Sequence, residues 1–250
     1  MSFDVAIQAH RGSPDPSQGI AENTMEAFAR SRQLGADGIE LDVRLTADGA
    51  LAVHHDATIP GLGCLADQEV RHLPAHVPLL ADVLGAMADL TLNIEVKNLP
   101  TESGYDPNEV AARAAANAIA DAGLGAVAVV SSFWPPSLDA VLAVDPSLTT
   151  GLLVPEWADP SACLATAQDL GCRALHLHRS LATVARVADV HAAGLVVAVW
   201  TVNQPDDFVA MVACGVDTII TDDVTLALAH VPDQDSSGPD RTRPARIIGE

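Results

Sequence analysis

Between Glu40 and His55 the chain reads Glu-Leu-Asp-Val-Arg-Leu-Thr-Ala-Asp-Gly-Ala-Leu-Ala-Val-His-His. It holds two carboxylates and an imidazole that a tight hairpin would bring together. Asp48-Gly49 between two apolar runs signals a two-residue turn. That turn pairs residue 47 with 50, 45 with 52, 43 with 54 and 42 with 55. Asp42 then lies opposite His55, with Cβ atoms about 5 Å apart. Glu40, two residues earlier in a strand, points the same way. His54 falls opposite Val43 and faces away, so His55 is the favoured imidazole.

A second group lies in Asn93-Ile-Glu95-Val-Lys97, where Glu95 and Lys97 share a face. Twelve of the 13 basic residues are arginines, so Lys97 is the only lysine. Three carboxylates pooled at neighbouring strand ends would repel one another and raise their own pKa values without a cation. Oxygen-only ligation by Glu40, Asp42 and Glu95 favours one hard divalent ion, Ca²⁺ or Mg²⁺. His10, ending an earlier apolar run, pairs chemically with His55: near neutral pH one can accept a proton while the other donates. Arg11 and Lys97, with the metal, could neutralise a phosphate ester and the charge that develops as it is cleaved. A sugar acid or another carboxylate would be drawn to the same set. No Gly-x-x-x-x-Gly-Lys-Ser/Thr, Gly-x-Gly-x-x-Gly or Gly-x-Ser-x-Gly occurs, so nucleotide loops and a serine-hydrolase elbow are not indicated.

Strand-like runs near Val5–His10, Gly38–Val43, Thr91–Lys97, Ala126–Ser132, Thr149–Val154, Ala174–His178, Leu195–Thr201 and Asp217–Thr221 alternate with helical patterns. Helices fit at Thr24–Leu34, Leu79–Met87, Glu109–Ala122, Ser137–Val144, Ser161–Leu170, Thr183–Ala193, Pro205–Cys214 and Thr225–His230. Asn23-Thr-Met-Glu26 reads as a capping box opening the first of them. Eight such units predict a (β/α)₈ TIM barrel, with Leu51–His55 as a β-hairpin extension after the second strand. An open doubly wound sheet would alternate in the same way. Polar residues, however, end nearly every strand: His10, Arg11, Glu40, Asp42, Glu95, Lys97, Ser131, Ser132, His178, Thr201 and Asn203. Only a closed barrel pools all of them around one mouth. His176 and His178 share a face there, fit either to line the pocket or to pack. Residues 1–231 form the predicted barrel, and the Gly-, Pro- and Ser-containing stretch 232–250 reads as a disordered tail.

The 250 residues are 49% hydrophobic, enough for a large core, and carry a formal net charge of −20. Such a surface repels nucleic acid and anionic bilayers, so neither nucleic acid nor stable membrane association is expected. No apolar run reaches the roughly 18 residues of a membrane span. Four scattered cysteines without a Cys-x-x-Cys, and a start with no basic or cleavable signal, point to the cytoplasm.

In order along the chain come His10-Arg11-Gly12, Glu22-Asn23-Thr24, Glu40-Leu-Asp42-Val43, Thr46-Ala-Asp48-Gly49, His55-Asp56 and Glu95-Val-Lys97. Trp200-Thr201-Val-Asn203 and Gly215-Val-Asp217-Thr-Ile-Ile-Thr221-Asp222 follow. The series resembles the glycerophosphodiester phosphodiesterases over about residues 6–229. That family is similar in fold to phospholipase-C-like barrels and cleaves glycerophosphodiesters to sn-glycerol 3-phosphate and an alcohol. The resemblance implies His10 and His55 as acid–base pair, Glu40, Asp42 and Glu95 as ligands of one divalent ion, and Arg11 and Lys97 on phosphate. It also implies Glu22 as a support and Trp200 as pocket wall. The implied route has the glycerol 2-hydroxyl attack phosphorus, and water then opens the cyclic phosphate. Ala21 departs from the usual proline. Only 38 residues separate Asp56 from Glu95, where many relatives carry a larger cover over the alcohol side. Lysophospholipase D chemistry and a non-catalytic phosphoester-binding barrel are the alternatives.

Overall fold

A computed structural model of the protein describes residues 5–231. Its strands, in chain order, are β1 (Ala6–Ala9), β2 (Gly38–Leu45), β3 (Leu51–Val53), β4 (Thr58–Ile59), β5 (Gly63–Cys64), β6 (Thr91–Val96), β7 (Ala128–Ser132), β8 (Thr149–Val154), β9 (Ala174–His178), β10 (Val196–Trp200) and β11 (Thr218–Thr221). The helices are α1 (Met25–Leu34), α2 (Leu80–Ala86), α3 (Val110–Ala122), α4 (Pro135–Val144), α5 (Pro160–Leu170), α6 (Val184–Ala192), α7 (Pro205–Cys214) and α8 (Val224–His230). The main sheet runs β1-β11-β10-β9-β8-β7-β6-β2 in parallel, and β1 also pairs with β2, through Gln8↔Gly38 and Ala9↔Ile39. That pairing closes an eight-stranded TIM barrel wrapped by the helices. All eight expected barrel strands are present.

The period of two sorts the side chains. On β2, Ile39, Leu41 and Val43 join the apolar layer beneath the helices, and Leu92, Ile94 and Val96 do so on β6. The intervening Glu40, Asp42, Asn93 and Glu95 face the barrel interior, where they too are buried. β1 stops at Ala9, so the upper edge of β2 is free to take β3 antiparallel. Among the described residues no helix is long and apolar enough to cross a membrane.

Two local expectations are corrected. The hairpin register is Val43↔Val53, Arg44↔Ala52 and Leu45↔Leu51, one residue away from the predicted pairing. The loop has three residues, closed by Thr46 N–H to Ala50 O at 2.9 Å, with Gly49 at φ 84°. A type I turn ending in a left-handed glycine adds that residue. The Thr46 hydroxyl reinforces it, accepting from Ala50 N–H at 3.0 Å. The second correction concerns α1, whose N-cap is Thr24, accepting from Ala27 N–H; Asn23 is not the cap. The expected tail, 232–250, lies outside the described residues.

Candidate active site

His10 and Arg11 are consecutive, and in a continuing strand their side chains would point to opposite faces. The chain instead turns. His10 N–H closes onto Thr221 O at 2.8 Å, Arg11 takes φ 52° and Gly12 φ 80°. The left-handed pair swings Arg11 back to the cavity and aims its N–H at Glu40 Oε2, 2.9 Å away. Gly12 is needed twice over: a Cβ there would sit 2.8 Å from Ala27 Cβ, at a φ that side chains avoid. Gly12→Ala is expected to cost about 3 kcal/mol of stability from strain and overpacking together. A denaturant melt checks it, and an unchanged midpoint would show that the turn relaxes freely.

Glu40, Asp42 and Glu95 are buried, and each offers an oxygen within 4.8 Å of the others'. Asn23, itself left-handed at φ 55°, grips Asp42 at both ends. Its Nδ2 donates to Asp42 Oδ2 at 2.8 Å, and its Oδ1 accepts from Asp42 N–H at 3.2 Å. Lys97 Nζ lies 2.6 Å from Glu95 Oε1 and 3.2 Å from Asp42 Oδ1. Arg11 reaches Asp42 through Nε at 3.5 Å and Glu22 Oε1 through Nη1 at 2.9 Å.

Burial, with Asp42 beside it, pushes the Glu40 carboxyl up to about 8. Burial acts the same way on Asp42, but Lys97 and Arg11 outweigh it and hold that carboxyl down at about 2. Burial also raises Glu95, with Lys97 opposing. Three converging carboxylate oxygens, crowded enough to raise the Glu40 pKa, form a hard donor set that fits a small divalent cation.

His10 Nδ1 meets Asp222 Oδ1 at 2.6 Å, and Asp222 Oδ2 accepts from Asn203 Nδ2 at 2.5 Å. His55 Nδ1 meets Asp56 Oδ1 at 2.7 Å. An ionised carboxylate only accepts, so both rings donate from Nδ1 and leave Nε2 for other work. Burial lowers the His10 pKa, but the Asp222 hydrogen bond and Glu40 reverse this and raise it. Burial and the Lys97 charge lower that of His55.

His55 lines the cleft with His10, Arg11, Glu40, Glu95 and Lys97. Its placement does not come from strand pairing. In the observed register His54 N–H bonds Asp42 O, β3 has ended, and Arg44 Nε holds His55 O at 2.7 Å. The bend turns His55 inward while the His54 ring bonds Asp56 O.

Across the cleft, about 150 Å³ in volume, stand Phe133, Leu153, Trp200 and Ile220. Trp200 Nε1 donates to His176 O at 2.9 Å, and Phe133 meets the indole edge-on at 5.5 Å. Neither His176 nor His178 lines the cleft. His178 packs edge-on against Trp200 at 5.3 Å, and His176 is buried beside Gly151. Asp56 and Asp222 had no assigned task in the sequence, Asn203 was placed only at the mouth, and Asn23 was expected to cap a helix rather than hold Asp42. A carboxylate or amide at a strand end opposite each histidine was the available sign.

Comparison with known proteins identifies the family. Residues 10–226 match the Glycerophosphoryl diester phosphodiesterase family. A glycerophosphodiester phosphodiesterase of Caldanaerobacter subterraneus subsp. tengcongensis is 33% identical over 245 residues, covering 87% of this chain and 93% of that one. One from Bacillus altitudinis is 32% identical over 240 residues, covering 86% and 94%. An Oleispira antarctica phosphodiesterase, solved with the product sn-glycerol-3-phosphate, shares the fold at a TM-score of 0.79 and 24% identity, covering 90% of this chain and 96% of that one. With most of its length matched at this level, the chain belongs to the glycerophosphoryl diester phosphodiesterase family.

Proposed function

We propose that the protein hydrolyses small glycerophosphodiesters, such as glycerophosphocholine, to sn-glycerol 3-phosphate and an alcohol. One observation carries this: His10 and His55, each anchored through Nδ1 on an aspartate, share a single cleft with Glu40, Glu95, Arg11 and Lys97, and buried Asp42 lies within 4.8 Å of both carboxylates. Glu40, Asp42 and Glu95 would hold one divalent ion, Ca²⁺ or Mg²⁺, which supplies Lewis-acid polarisation of a phosphoryl oxygen when bound. Arg11 and Lys97 balance the phosphate charge, with Glu22 steadying Arg11 and Trp200 walling the cleft.

His55, its pKa lowered, is neutral at pH 7 and takes the proton from the attacking glycerol 2-hydroxyl. His10, its pKa raised, carries the proton that the departing alcohol oxygen needs. Water then opens the cyclic phosphate with the two roles exchanged. The four free cysteines suit a reducing compartment, and the cytoplasm is the proposed location.

Incubation with glycerophosphocholine or glycerophosphoethanolamine plus Ca²⁺ or Mg²⁺, assaying glycerol 3-phosphate, tests the assignment. Turnover is expected, and its absence with every divalent ion would overturn it. Mono-acyl substrates in the same assay measure any lysophospholipase D activity.

Asp222 follows as a positioning residue for His10. Asp222→Ala should lower kcat about tenfold on a choline ester, part of the range for a general acid. On a p-nitrophenyl ester, whose leaving group needs no proton, first-turnover release of p-nitrophenol should change little. Equal losses in the first-turnover release of choline and of p-nitrophenol would mean that Asp222 serves the fold alone.

A further inference from the structure

The cleft is also lined by two side chains that the chemistry above does not use. Asn93 lies two residues deeper than Glu95 on β6 and pairs in register with Glu40; Ser131 on β7 pairs with Glu95. Both line the cavity, and each is only 1% exposed. Neither amide atom of Asn93 nor the Ser131 hydroxyl has a hydrogen-bond partner within the protein. A buried polar group left unpaired costs about 1–3 kcal/mol, so three together call for an occupant that satisfies them.

The surroundings narrow its chemistry. An anion would meet Glu40 and Glu95, the register partners of Asn93 and Ser131 on the neighbouring strands. A primary ammonium has no acceptor for the Asn93 NH₂, and a quaternary ammonium offers neither donor nor acceptor. A neutral hydroxyl does both, donating to Asn93 Oδ1 while accepting from its Nδ2 or from Ser131. Leu153, Trp200 and Ile220 give carbon atoms a dry wall beside it. Along a strand two residues span about 6.6 Å, a depth comparable to the reach of a three-carbon polyol from its phosphorus to its far hydroxyl.

We propose that Asn93 and Ser131 form a subsite for the terminal hydroxyl of the glycerol moiety, and so select glycerol esters over those of diols lacking that group. The inference rests on the hydrolase assignment above. A site built around a hydroxyl rejects analogues without it strongly, because its own polar atoms are then left unpaired.

The test compares glycerophosphocholine with the phosphocholine ester of propane-1,2-diol, which keeps the attacking hydroxyl and lacks the terminal one. Wild type should prefer the glycerol ester in kcat/KM by at least ~100-fold. Asn93→Ala should cut that preference at least ~10-fold, largely by losing activity on the glycerol ester, and Ser131→Ala by a smaller factor. The ratio is taken within one preparation and does not depend on how much of a variant is folded. Calorimetric binding of sn-glycerol 3-phosphate against its 1-deoxy analogue reads the same subsite without turnover. Equal handling of the paired ligands by wild type, or an unchanged preference in both variants, would overturn the subsite. Preferential binding without hydrolysis of either ester would instead sink the hydrolase assignment and leave the subsite standing.

Discussion

Replacing His55 with alanine lowers kcat on glycerophosphocholine at least ~100-fold, the lower end of what a lost acid–base group costs. KM should move far less, because Arg11 and Lys97, proposed to balance the phosphate charge, are untouched. The wild-type pH profile follows from the directions of the two shifts. Activity falls on the acid side as His55 takes up a proton, below its ordinary value because its pKa is lowered. It falls on the alkaline side as His10 loses one, above its ordinary value because its pKa is raised. His55→Ala should therefore flatten the acid limb while keeping the alkaline one. A wild-type rate in this variant, measured by release of glycerol 3-phosphate, would remove His55 from the chemistry.

Glu95→Gln is expected to be at least as damaging, about 100-fold or more in kcat. The substitution keeps the shape of the side chain but takes one negative charge from the cluster. It also deprives Lys97 of its nearest partner, 2.6 Å away. Two readouts separate these consequences. Calorimetric titration with Ca²⁺ or Mg²⁺ should show weaker ion binding, and excess ion should restore part of the activity. Wild-type activity with unchanged ion affinity would show that Glu95 is no ligand. A chelator should silence the wild-type protein, and added divalent ion should revive it.

Much of the architecture was legible because it rests on short-range rules. Alternating apolar runs gave eight strands, and polar residues at their ends required a closed ring. The hairpin was legible as a hairpin but not in its register. Asp48-Gly49 fits both a two-residue turn and the last two residues of a three-residue loop, and the Thr46 hydroxyl favours the latter. His55 still reaches the cleft, through a bend after Val53 that strand periodicity does not describe. Asn23 was legible as a capping residue by type, yet its left-handed backbone puts its amide on Asp42 and passes the cap to Thr24. Asp222 lies 212 residues from the ring it anchors, and only barrel closure between β1 and β11 makes them neighbours. Local pattern reaches the elements, whereas long-range partners need the closed ring.

The two arcs of the barrel have unequal duties. β1, β2, β3 and β6 and the turns that leave them carry His10, Arg11, Glu40, Asp42, His55, Glu95 and Lys97, whereas β7, β8, β10 and β11 present Phe133, Leu153, Trp200 and Ile220. The reacting groups thus come mainly from one stretch of chain and the apolar wall from the other, with Asp222 reaching across to hold His10. Substitutions confined to Phe133, Leu153, Trp200 and Ile220 would therefore reshape the wall of the cleft without removing any of the groups that meet the ester.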